Sequence, residues 1–148
     1  MRVIFLIVIC LTGGAALADH ELLGRDIEHG QGLYAAQCAS CHGLALEGQP
    51  DWQTPGADGV LPAPPHDDTG HTWHHDNGLL FDYTKQGGAA ALEQRGVVGF
   101  ASGMPAFAGT LSDDEIWDVL AYIRATWSPQ FQDYQADRNP AHNATSDR

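Results

Sequence analysis

The sequence predicts an all-α domain of three to five helices joined by long loops. Three observations predict it. Ser112-Asp113-Asp114-Glu115 opens an amphipathic stretch in which Ile116, Val119, Leu120 and Ile123 recur at helical spacing. Asp26 precedes a second helical face, with Ile27, Gly30, Tyr34 and Cys38 at i, i+3, i+7 and i+11. Between them, Gly43 to Gly70 holds Pro50, Pro55, Pro62, Pro64 and Pro65, five of the chain's eight prolines, and reads as a long irregular loop.

The chain has 148 residues, enough for one ordinary domain. Residues 1–18 read as an export signal. Arg2 gives the positive start, Val3 to Leu11 the apolar core, and Ala16-Leu17-Ala18 the cleavage pattern. That places the protein in the periplasm, with residues 19–128 as the domain and 129–148 as a mobile polar tail. The alternative is membrane anchoring through an uncleaved N-terminal segment. Of the three cysteines, Cys10 would leave with the signal, and Cys38 and Cys41 would stay.

The formal net charge is −12, and loss of Arg2 takes it to −13. Such a surface excludes general nucleic-acid binding, which needs a basic patch. It suits partners with basic docking surfaces, whose approach it would steer; solubility alone would also explain it.

The Asp26 helix should run to about Ala39. Gly30 lies on its buried face at a cost of about 1 kcal/mol against alanine, which suggests close passage of another helix. Next come Cys38-Ala39-Ser40-Cys41-His42-Gly43. Two thiols three positions apart, followed by a histidine, form the C-x-x-C-H pattern of covalent haem attachment. Each thiol can add to one haem vinyl group, and His42 can then ligate the iron. In a helical turn all three residues share a face. A thioredoxin-like redox site lacks its βαβ context here, and a zinc site lacks its second ligand pair.

The Pro-rich loop is long enough to need a reason, and wrapping a flat cofactor is one. Trp52 within it reads as a packing residue. His66 to Asp76 carries four histidines and three aspartates in addition to Trp73. The preferred reading is a solvated polar loop near the cofactor edge; the alternative is binding of a divalent metal. Asp76 should cap a short helix through Leu79, Leu80 and Tyr83 that ends near Gly87-Gly88. Residues 88–103 read as a Gly-rich loop, with a helical turn at Ala89 to Glu93.

Gly103-Met104-Pro105 follows. Once Met1 is removed with the signal, Met104 is the only methionine. Its thioether is a soft ligand for haem iron, and a methionine filling a core gap would rarely sit between glycine and proline. Ser112 and Glu115 then form a capping box, Leu111 and Ile116 a hydrophobic staple, and the helix should continue to about Thr126, with Pro129 ending the element.

Taken together, these pieces resemble the small soluble monohaem cytochrome c family of bacteria, over about Asp26 to Trp127. The resemblance rests on Gly30, Tyr34 and Cys38 to Gly43, then Gly103 to Phe107, then Leu111 to Ile116 with Leu120 to Ile123. It implies a cytochrome c fold around one covalently bound haem c, attached through Cys38 and Cys41. His42 would be the proximal ligand and Met104 the distal one. It also implies that the first and last helices cross, with Gly30 beside an aromatic residue, here Tyr122. A proline carbonyl, of Pro64 or Pro65, would take the His42 ring N–H.

Two axial ligands leave no site for a small-molecule substrate, so the expected role is electron transfer without catalysis. Partners would be redox proteins that bind briefly, including membrane complexes as transient ones. The alternatives are a haem sensor, gas binder or peroxidase with a labile distal ligand, and accessory metal binding by residues 66–76.

Overall fold

The structure, a computed structural model, describes residues 21–139. The expected signal segment lies outside them, as do residues 140–148. Among the described residues there are six α-helices and no strand. They are α1 (Ile27–Gln37), α2 (Ala39–His42), α3 (Asn77–Gln86), α4 (Gly88–Gln94), α5 (Asp113–Ala125) and α6 (Pro129–Ala136), with a single 3₁₀ turn at Thr72–His74. None is long and apolar enough to cross a membrane.

Local chemistry sets the helix starts. The Asp26 side chain accepts from His29 N at 2.9 Å and opens α1. Asp76 accepts from Leu79 N at 2.7 Å and opens α3. Ser112 and Glu115 form the expected reciprocal box at α5. Each such cap satisfies backbone donors left over in the first turn, typically for about 1 kcal/mol. The Leu111–Ile116 staple is buried in one apolar cluster with Leu22, Leu120 and Ala121.

Helices α1 and α5 cross at Gly30. A β-carbon there would lie 2.1 Å from the Asp118 carbonyl oxygen and 3.2 Å from Tyr122 Cβ. Only glycine lets the two backbones meet, which explains the weak helix former on a buried face. Tyr34 and Tyr122 pack beside it, ring centroids 5.5 Å apart. Around the crossing, Tyr34, Cys38, Leu46, Val119, Ile123 and Trp127 form the other buried cluster.

The reading of 129–148 as a polar tail beginning at Pro129 needs correction. Pro129 does not merely end α5; it is the first residue of α6. Proline suits that position because the first-turn N–H has no helical partner anyway. Helix α6 packs onto the 3₁₀ turn, with Phe131 stacked on Trp73 at 4.0 Å. Gln135 is fully buried, its amide donating to Asn77 Oδ1 at 2.7 Å and to the His75 carbonyl at 3.3 Å. Asn139 accepts from Asn77 N at 2.7 Å. The domain therefore extends at least to Asn139.

Candidate functional site

The C-x-x-C-H residues sit where α1 gives way to α2. Cys38 N donates to the Tyr34 carbonyl at 2.9 Å and closes α1, and His42 N donates to the Cys38 carbonyl at 3.0 Å. The second contact closes a helical turn across the motif, so Cys38, Cys41 and His42 are held on one short scaffold. Neither thiol is in a disulfide; Cys38 is buried and Cys41 exposed. Burial, and to a smaller degree the neighbouring Cys41, push the Cys38 thiol up to about 11. Tyr34 braces the end of the motif, its hydroxyl donating to the Gly43 carbonyl at 3.2 Å.

His42 is buried, and its Nδ1 lies 2.8 Å from the Pro64 carbonyl oxygen. A carbonyl can only accept, so Nδ1 carries the proton and Nε2 keeps its lone pair for a metal. Burial pulls the imidazole below its usual range, with the Pro64 hydrogen bond acting the other way. The ring is therefore neutral at physiological pH, the form that coordinates iron. Of the two candidate prolines, Pro64 supplies the carbonyl.

The Pro-rich loop is anchored to deliver that carbonyl. Gly48 N donates to the His42 carbonyl at 2.8 Å, Gln49 N to the Ala63 carbonyl at 2.8 Å, and His66 N to the Leu46 carbonyl at 2.8 Å. Gly48 has φ +68°, and a β-carbon there would lie 2.4 Å from Pro65 N. Irregular in dihedrals, the loop is nevertheless tied by backbone hydrogen bonds on both sides of Pro64.

Met104 is half-buried and its main chain is pinned. Its N–H donates to Ser102 Oγ at 3.1 Å, and its carbonyl accepts from Gly88 N at 3.2 Å, at the start of α4. Residues 88–94, read as a loop with one turn, form the whole of α4 and provide that anchor. A β-carbon on Gly103 would lie 3.2 Å from Val60 Cγ1. The Gly-Met-Pro segment thus lies against the same loop that supplies Pro64.

Residues 66–76 stay partly open to solvent, with Thr69 and His74 exposed, but their rings are packed. His66 stacks on His42, His71 on Trp52 at 5.1 Å, and His74 on Trp73 at 3.8 Å. Among the described residues, no group of three His, Cys, Asp or Glu side chains is placed to hold a metal ion. The histidines serve as flat packing surfaces, and Trp52 is indeed a packing residue.

Comparison with known proteins gives the family. The cytochrome c family model matches residues 27–127. The chain belongs to the cytochrome c family. Membership brings covalently bound haem c, redox partner proteins and a role for the haem in electron transfer. The residues fit the group: two thiols outside any disulfide, and a buried neutral imidazole whose free nitrogen is defined by its Pro64 bond. The cytochrome is also 31% identical over 132 residues to a thiosulfate dehydrogenase of Allochromatium vinosum. That match covers 84% of this chain and 42% of the relative, so the chain spans about two-fifths of the relative's length. No solved structure matches the cytochrome significantly.

Proposed function

We propose that this chain is a periplasmic electron carrier with one haem c, held through thioethers at Cys38 and Cys41, with His42 as proximal and Met104 as distal ligand. The observation that carries the reading is the 2.8 Å contact between His42 Nδ1 and the Pro64 carbonyl. It fixes the tautomer of a buried imidazole that follows Cys41 directly in sequence and leaves Nε2 free to bind iron. The bound haem supplies reversible one-electron chemistry at iron. The chain's residues do the rest. Cys38 and Cys41 tether the ring, Pro64 orients His42, and the Met104 thioether raises the potential relative to a harder ligand. With His42 and Met104 both holding the iron, no position on it would be left for a substrate. The acidic surface steers basic partners to a brief encounter. The export reading of residues 1–18 supports the compartment.

The similarity to a thiosulfate dehydrogenase favours a second reading, in which the chain takes part in thiosulfate oxidation. One preparation separates the two. An absorption spectrum of exported protein, recorded oxidised and reduced, should contain the near-infrared methionine–iron band, and the ferric form should not be reduced by thiosulfate. Absence of the band removes Met104 as ligand and revives a labile distal site. Rapid reduction by thiosulfate establishes the enzymatic reading instead.

A further inference from the structure

The His42 imidazole has a neighbour besides Pro64. The ring of His66 lies face to face with it, centroids 3.8 Å apart and planes 17° from parallel. His66 is itself immobilised. Its N–H donates to the Leu46 carbonyl at 2.8 Å, and its carbonyl accepts from Trp127 Nε1 at 2.7 Å. The Tyr34 ring meets it edge-on at 5.8 Å and 63°.

We propose that His66 is a positioning residue for the axial ligand: its flat ring, stacked on His42, sets the rotation of the His42 imidazole plane. This rests on the reading of His42 as the proximal ligand. One hydrogen bond from Nδ1 restrains a single ring atom, and the last torsion of a histidine side chain is otherwise broad. A parallel ring on one face removes that freedom, because turning His42 would drive its edge into His66. An aliphatic side chain at this position would fill space but would lack a planar face.

Ring orientation can be read directly. In low-spin ferric haem, the axial imidazole plane, together with the orientation of the methionine lone pair, sets which porphyrin orbital carries unpaired spin, so a turn of the imidazole alone changes the distribution. The pattern of ring-methyl shifts in a proton NMR spectrum follows it. The test compares haem-loaded wild type with His66→Phe, which keeps a flat ring, and His66→Leu, which keeps bulk without one. His66→Met takes the place of the leucine variant if that variant does not load haem. The expected result is the wild-type order of methyl shifts for phenylalanine and a changed order for leucine or methionine. A wild-type order in the aliphatic variant overturns the proposal, as does an equal change in the phenylalanine variant. His42→Ala is the separate arm: if it keeps the wild-type low-spin spectrum, the proximal assignment has failed, whatever His66 does.

Discussion

His42 and Pro64 are joined by one hydrogen bond of 2.8 Å, imidazole to carbonyl, between a helical turn and an irregular loop. The bond ties the His42 ring to the loop conformation. The loop conformation in turn depends on Gly48, which adopts φ +68° next to Pro65. Gly48→Ala would bring both backbone strain and a clash. We expect a loss of roughly 1–3 kcal/mol in stability. Denaturant unfolding of the holoprotein measures it; an unchanged midpoint would mean that the loop holds Pro64 without Gly48.

The Met104 assignment predicts a clean separation of attachment from ligation. Met104→Ala should keep haem bound through Cys38 and Cys41 while converting the iron to high spin and lowering its potential. Optical titration under controlled potential reads both. A wild-type spectrum would transfer the distal role to another side chain.

Gly30→Ala should weaken the α1–α5 crossing although alanine is the better helix former. The propensity gain is about 1 kcal/mol. The obstacle is a backbone oxygen, which has no rotamer to move, and forced separation of packed helices typically costs about 1–3 kcal/mol. The prediction is therefore a net fall in the thermal midpoint, and a rise would show that the helices part easily.

His29 Nδ1 lies 3.0 Å from Asp118 Oδ2, linking the same two helices on their exposed side. The hydrogen bond to Asp118 raises the His29 pKa above 6.5; desolvation opposes it, and charge attraction from Asp118, Asp26 and Glu115 adds to the rise. Arg25 stands 4.0 Å from the same carboxylate and competes for it. A raised folded-state pKa stabilises the fold below the unfolded value. That contribution fades as pH climbs through the folded one. The His29 contribution should therefore fade from pH 6 towards pH 8, while the buried His66, His71 and His75, whose pKa values lie below the usual range, act in the opposite sense in both proteins; the stability gap between wild type and His29→Gln should close over that range. Equal slopes in the two proteins would dismiss the link.

Gln135 offers a test of α6. Its side chain holds Asn77 and the His75 carbonyl in a buried network, with Arg124 Nε donating to its Oε1 at 3.3 Å. Gln135→Ala leaves buried polar groups without partners, at a cost of about 1–3 kcal/mol. If α6 were a loosely attached tail, urea midpoints of the variant and wild type would coincide.

Helix starts were legible in the sequence because capping is local chemistry: Asp26, Asp76 and Ser112 each act within three residues. The helical turn at Cys38 to His42 was legible for the same reason. Helix α6 was not, because its inner side is closed by a hydrogen bond that the Gln135 amide donates to Asn77, with Asn139 just beyond it accepting from Asn77 N, and it carries little apolar periodicity. The pair Ser128-Pro129 was the available signal, a capping residue type before a first-turn proline. The stacking of the histidines at 66–75 was not legible for a different reason. Imidazole suits both coordination and stacking, and the choice depends on partners distant in sequence. Trp52 and Phe131 meet His71 and Trp73 only once the chain has closed.

The burial of Cys38 bears on the order of events under the proposed haem attachment. Its thiol lies in the cluster completed by Val119, Ile123 and Trp127, side chains from the far end of the domain. In the folded chain Cys41 is open to solvent and Cys38 is not. A thioether at Cys38 would therefore have to form before α5 docks, and a chain that folds first would close off that thiol.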